Sequence, residues 1–195
     1  MRKWLLKQFE WYRGLILRLK TRRGFLFYKD KDMQLYEKYV TETVDEKTGR
    51  LTKIDFHIPD DFNFGFDVVD FWGKNTPDKT ALLWVGEHHE EKTFTFSDMM
   101  RLTNKTANYF RSLGIKKGDR VMLILRRHYQ FWFSIVALHK IGAIVIPATD
   151  QLMKKDLVYR FNLAGVSAVV ISSTGSIVDE AEKAFEQCDV KTKIL

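Results

Sequence analysis

From Phe66 onward the spacing of apolar residues switches back and forth between a helical and a strand-like period. The stretch from Phe66 to about Asn75 predicts a helix with Phe66, Val68, Val69 and Trp72 turned inward. It stops before Thr76-Pro77, because the residue ahead of a proline avoids the helical region. Thr80–Val85 and Thr93–Phe96 read as strands joined by a polar hairpin loop at Gly86–Glu91. Ser97 suits a helix N-cap, and Met100, Thr103, Ala107, Phe110 and Leu113 then mark one face of a helix closed by Gly114. Three unbroken apolar runs follow, at Val121–Leu125, Ala143–Ile146 and Ala168–Ile171, as expected of strands covered on both faces. Helical stretches at Tyr129–Ile141, Asp156–Leu163 and Val178–Phe185 separate and follow them, with Gly142 and Gly165 at the joins. Strand, helix, strand, helix, strand predicts an α/β body, a parallel sheet flanked by helices with an initial β-hairpin. Val190–Leu195 has the look of one more strand, so the pattern is expected to continue beyond it.

The region before the body differs. Leu5, Phe9, Tyr12, Ile16 and Leu19 fall on one face of a helix over residues 2–20, with Lys and Arg at the other positions. Such an amphipathic helical arm either packs on the protein's own body, the favoured reading, or lies on an anionic membrane through residues 1–29. A transit peptide is disfavoured by the absence of Ser from this stretch. Residues 41–65 read as an irregular polar linker, with turn signals at Thr48-Gly49-Arg50 and Pro59-Asp60-Asp61. Charge sharpens this division. Of the 32 Lys/Arg and 25 Asp/Glu, residues 1–40 hold 11 and 4, which accounts for the whole net charge of +7 and leaves the body balanced. A nucleic-acid surface on the body is therefore not expected. The single cysteine, Cys188, excludes an internal disulfide and fits a reducing, cytoplasmic compartment. Its acidic neighbours Glu186 and Asp189 disfavour a reactive thiolate.

Candidate chemistry is sparse. Neither a G-x-x-x-x-G-K-[ST] loop nor a G-x-G-x-x-G turn occurs. His88-His89, with Glu87, Glu90 and Glu91, sits in a hairpin tip where adjacent side chains diverge, so a solvated charged loop is expected instead of a metal site. Ser172-Ser173-Thr174-Gly175-Ser176 is the one hydroxyl-rich loop after a strand, and it lacks a lysine to neutralise phosphate. Arg126-Arg127-His128 and Thr149-Asp150-Gln151 each follow a buried strand, where parallel sheets place their ligands; a binding role and a plain solvated loop fit these residues equally.

Phe94-Thr95-Phe96-Ser97-Asp98-Met99, Ala107–Phe110 and Leu113-Gly114-Ile115-Lys116-Lys117-Gly118-Asp119-Arg120-Val121 together resemble the first core motif of adenylate-forming enzymes. Leu138-His139-Lys140-Ile141-Gly142-Ala143 through Pro147-Ala148-Thr149 resembles the second, and Asp156-Leu157-Val158-Tyr159-Arg160 is similar to the helix that follows it in acyl-CoA synthetases. Phe62–Asp67 and Pro147-Ala148-Thr149 are similar to the acetyl- and medium-chain acyl-CoA synthetase branch. The resemblance divides the chain into a basic helical arm and linker, 1–58, and an incomplete N-terminal part of an AMP-binding large domain, 59–195.

The resemblance implies an acid–CoA ligase that uses ATP, Mg²⁺ and CoA to convert a carboxylate, through an acyl-adenylate, to acyl-CoA with release of AMP and pyrophosphate. The family's Pro-Lys phosphate loop, aromatic-Thr-Glu motif, hinge acid and late catalytic lysine do not occur here, so no catalytic residue carries over and the chain alone is expected to be inactive. By matching, the segment that helps hold the CoA adenine falls on Thr149 and Asp150, where glycine and an aromatic are the family pattern. Ser172, Ser173 and Thr174 stand where basic residues would meet the CoA phosphate. The alternatives are a non-catalytic α/β binding or regulatory module and a membrane-associated adaptor led by the basic helix.

Overall fold

The computed structural model describes residues 35–173, 175–188, 190 and 192–194, the last three as backbone only. The predicted amphipathic arm and its membrane-contact stretch lie outside the described residues. Contacts divide the chain into two compact units, residues 1–57 and 58–195.

In the first unit a short 3₁₀ turn, Leu35–Lys38, leads into β1 (Val40–Val44), which pairs antiparallel with β2 (Leu51–Phe56) from Val40↔Phe56 to Val44↔Leu51. The irregular linker expected over 41–65 is thus corrected: its first half is a hairpin. Asp45 closes the turn, its Oδ1 accepting from the amides of Lys47 at 3.0 Å and Thr48 at 2.7 Å. Gly49 takes the left-handed φ of 64° that the turn requires. Both strands are largely exposed and polar, so no apolar alternation betrays them in the sequence.

The second unit opens with Asn63, whose Oδ1 accepts from the Gly65 amide at 3.0 Å while its own amide donates to Asp67 Oδ2 at 2.7 Å. This starts a π-helical segment, Gly65–Asp70, which continues as α1 (Phe71–Asn75). Val69 and Asp70 are buried, but Phe66 is exposed, contrary to its expected inward position. The wider π turn rotates the apolar stripe away from the α-helical spacing used to place it. The hairpin β3 (Thr80–Val85) and β4 (Glu91–Thr95) follows as expected. Helix α2 (Phe96–Ser112) is capped by Thr95, not Ser97: Thr95 Oγ1 accepts from the Asp98 amide at 3.1 Å and Asp98 Oδ2 accepts from the Thr95 amide at 3.2 Å.

β5 (Arg120–Ile124), α3 (Gln130–Ile141), β6 (Ile144–Pro147), α4 (Lys154–Ala164), β7 (Ala168–Ile171), α5 (Ile177–Phe185) and β8 (Thr192–Ile194) complete the body. The four strands form a wholly parallel sheet in the order β6-β5-β7-β8. Alternate residues serve opposite faces. Met122, Ile124, Val169 and Ile171 pack with Leu157, Phe161, Ile177 and Ala181 under α4 and α5. Val121, Leu123, Ala168 and Val170 pack with Ala107, Phe110, Ala137 and Leu138 under α2 and α3. Each fully buried Leu or Phe contributes about 1.5–3 kcal/mol by leaving water. A third cluster, with Val69, Met99, Phe133 and Val136, ties the β3–β4 hairpin to α3 through Phe94.

Helix α3 also carries the one deeply buried ion pair among the described residues. Lys140 Nζ donates to Asp70 Oδ1 at 2.6 Å and to Asn104 Oδ1 at 2.7 Å. Desolvation pushes the Lys140 ammonium below its ordinary value, partly offset by Asp70. A Cβ at position 65 would collide with the Lys140 stem, so glycine is needed where the π-helical segment crosses α3.

Candidate functional site

The parallel order β6-β5-β7-β8 means that the chain leaves β5 toward one edge, through α3, and leaves β7 toward the other, through α5. The crevice beyond the carboxyl ends of β5 and β7 is therefore the topological switch point, where open α/β sheets receive ligands. The loops predicted as candidates, after β5, β6 and β7, all converge there.

Two of them are joined directly. Arg126 Nε lies 2.8 Å from Asp150 Oδ2, and Arg126 Nη2 lies 3.7 Å from Glu87 Oε1. Arg126 adopts a left-handed φ of 42° that a non-glycine residue rarely takes, a conformation that costs about 1–3 kcal/mol. The Trp84 indole Nε1–H donates to the Arg127 carbonyl at 2.6 Å, anchoring this loop to β3. Thr149 is exposed, and its Oγ1 accepts from the Gln151 amide at 3.3 Å. At the end of β7 the Ser172 amide donates to the Ile124 carbonyl at 3.1 Å, which draws Ser172 in beside β5. Its Oγ is buried without a hydrogen-bond partner among the described residues, an arrangement that calls for a polar group from elsewhere. Ser173 is exposed, and Thr174 lies outside the described residues.

The sequence reading did not find Trp84, and it named Glu87 only as part of the charged hairpin tip. Both come from the β3–β4 hairpin, and nothing local in the sequence says that its tip meets the Arg126 loop. The other candidates stand apart. His88 and His89 are in the exposed hairpin turn, where the His88 amide donates to Glu90 Oε2 at 3.0 Å. Burial pushes the Cys188 thiol up, and its Sγ lies 3.9 Å from the Val158 carbonyl. This keeps it a poor nucleophile, through desolvation more than through its acidic neighbours.

A protein-family model described as AMP-binding enzyme matches residues 69–195. The chain belongs to that family. Acyl-coenzyme A synthetase ACSM1, mitochondrial, of Mus musculus is 36% identical over 149 residues, 72% of this chain and 26% of that protein. Acyl-coenzyme A synthetase ACSM5, mitochondrial, of Rattus norvegicus is 36% identical over 121 residues, 59% of this chain and 21% of that protein. The chain thus spans about a quarter of the length of the curated relatives it matches. Among solved structures, an acyl-CoA synthetase of Brucella canis superposes with a TM-score of 0.61 at 23% identity, over 69% of this chain and 24% of that one. That likeness establishes the fold, including the parallel sheet with its leading hairpin.

Membership in the family brings ATP, Mg²⁺ and CoA into question, and the residues present answer differently for each. Among the described residues no three His, Cys, Asp or Glu side chains gather as a cation holder, and no G-x-x-x-x-G-K-[ST] loop is encoded, so the switch point offers no built holder for Mg²⁺. The unpartnered Ser172 hydroxyl, the exposed Ser173 and the accessible part of the Arg126 guanidinium do fit a polar, anionic portion of a ligand such as CoA.

Proposed function

We propose that the chain is the N-terminal segment of an ATP-dependent acid–CoA ligase, and that its part in the reaction is to wall the CoA side of the site. The observation that supports this most directly is the family match over residues 69–195, joined to the buried, unpartnered Ser172 hydroxyl at the end of β7 and the Arg126–Asp150 pair between the loops after β5 and β6. In the full reaction a carboxylate, ATP and CoA give acyl-CoA, AMP and pyrophosphate; CoA supplies the thiol. This chain's residues bind and orient. Arg126, held by Asp150, presents its remaining N–H donors to phosphate oxygens, and the hydroxyls of Ser172, Ser173 and Thr149 supply further hydrogen bonds. By itself the segment forms no adenylate.

The test is a chimera in which residues 59–195 replace the matching stretch of mouse ACSM1. Formation of medium-chain acyl-CoA by the chimera supports the ligase reading. A folded chimera without activity, beside an active parent, overturns it in favour of a non-catalytic binding module. For compartment, the single cysteine supports a cytoplasmic setting, while the two rodent relatives are named as mitochondrial. A C-terminal fluorescent fusion in animal cells separates the two: diffuse signal supports the first, and overlap with a mitochondrial dye overturns it.

A further inference from the structure

At the opposite end of the sheet, ahead of the amino ends of β5 and β6, a groove of about 550 Å³ opens between α2, α3 and the Gly114–Asp119 turn. Its polar lining is cationic and amide, Asn104, Asn108, Arg111, Lys116, Lys117 and Lys140, with no carboxylate among the lining residues. Arg111, Lys116 and Lys117 make no ion pair among the described residues. Three cations thus share one lining, and an anion bound there is attracted to all of them.

The geometry is fixed from below. Lys140 is a donor only, so the Asn104 oxygen must face it at 2.7 Å. The Asn104 NH₂ is thereby turned away from Lys140 as a free donor. The stem of Lys117 lies over Gly142, where a Cβ would stand 3.1 Å from Lys117 Cγ. The turn itself is held by Gly118 donating to the Gly142 carbonyl at 3.0 Å and by the Lys116 amide donating to Asp119 Oδ2 at 2.9 Å. Beside the cations stands an apolar wall of Ala107 and Ile115 and the exposed ring of Phe66.

We propose that this groove binds a phosphorylated small molecule with a planar ring, the phosphates on Arg111, Lys116, Lys117 and the Asn104 amide, the ring on Phe66. The volume suits a mononucleotide-sized ligand. The site is distinct from the switch point and does not depend on the ligase reading.

Isothermal titration of the 195-residue chain with ADP, pyrophosphate and adenosine tests it. ADP is expected to bind most tightly and adenosine least. Arg111→Glu should weaken ADP by about tenfold or more, since it turns a charge-assisted contact into repulsion. Asn104→Asp should do likewise while keeping an oxygen on Lys140, so its melting temperature should not fall. Lys155→Glu, an equally exposed cation change on α4, should leave binding unaltered. The proposal is overturned if neither ADP nor pyrophosphate binds, if Lys155→Glu weakens ADP as much as Arg111→Glu, or if Arg126→Glu abolishes binding while Arg111→Glu does not.

Discussion

Two ion pairs of similar length sit in very different places. Lys140–Asp70, at 2.6 Å, has side chains 1% and 7% exposed; Arg126–Asp150, at 2.8 Å, has side chains 41% and 29% exposed. The first is sealed between the π-helical segment, α2 and α3, with Asn104 completing its shell. The second spans two loops at the mouth of the sheet. A buried pair cannot lose one member without stranding a charge in a medium that solvates it poorly. An exposed pair loses little stability when broken, because water and salt replace the partner. One pair therefore holds the fold, while the other can be spent on a ligand.

Removing one member of each pair should separate these roles. The largest effect is expected for Asp70→Ala, about 3–5 kcal/mol of unfolding free energy, because Lys140 is left buried and unpaired. Urea denaturation measures it, and a loss below about 1 kcal/mol would mean that Lys140 escapes to water. Thr95→Ala, which opens the capping box of α2, should cost about 1 kcal/mol in the same assay. Arg126→Ala should change stability by no more than about 0.5 kcal/mol. The smallest effect is a pH slope. Burial pushes the His139 imidazole below its ordinary value. As pH falls below about 6.5 the unfolded chain gains a proton that the folded chain resists, so stability is full above that pH and declines beneath it. Thermal melts between about pH 7 and pH 5 should show a decline that is shallower in His139→Leu.

The contrast also explains what was legible in the sequence. The parallel sheet announced itself because Val121–Leu125 and Ala168–Ile171 are apolar at every position, which only strands covered on both faces require. The β1–β2 hairpin stayed hidden because Val40–Val44 and Leu51–Phe56 are mostly exposed with no fully buried position, so turn chemistry at Asp45 and Gly49 marks it instead of a core. The cap of α2 was misplaced by two residues because Thr95 and Ser97 are both good caps, and only Thr95 stands three residues ahead of the Asp98 that completes the box. At the site, the loops were found by position alone, since each follows a buried strand. The contacts that define it, Arg126 to Asp150 and Trp84 to Arg127, join residues 24 and 43 positions apart, and no local spacing encodes such meetings. Lys140 was hidden for the same reason: its partner Asp70 lies 70 residues away.

The most direct test of the central claim, that the Arg126 end of the sheet faces CoA, is the KM for CoA of the ACSM1 chimera with Arg126→Ala. The account predicts a rise of about tenfold with kcat nearly unchanged, because a binding contact is lost and no reacting group is touched. An unaltered KM for CoA would contradict it.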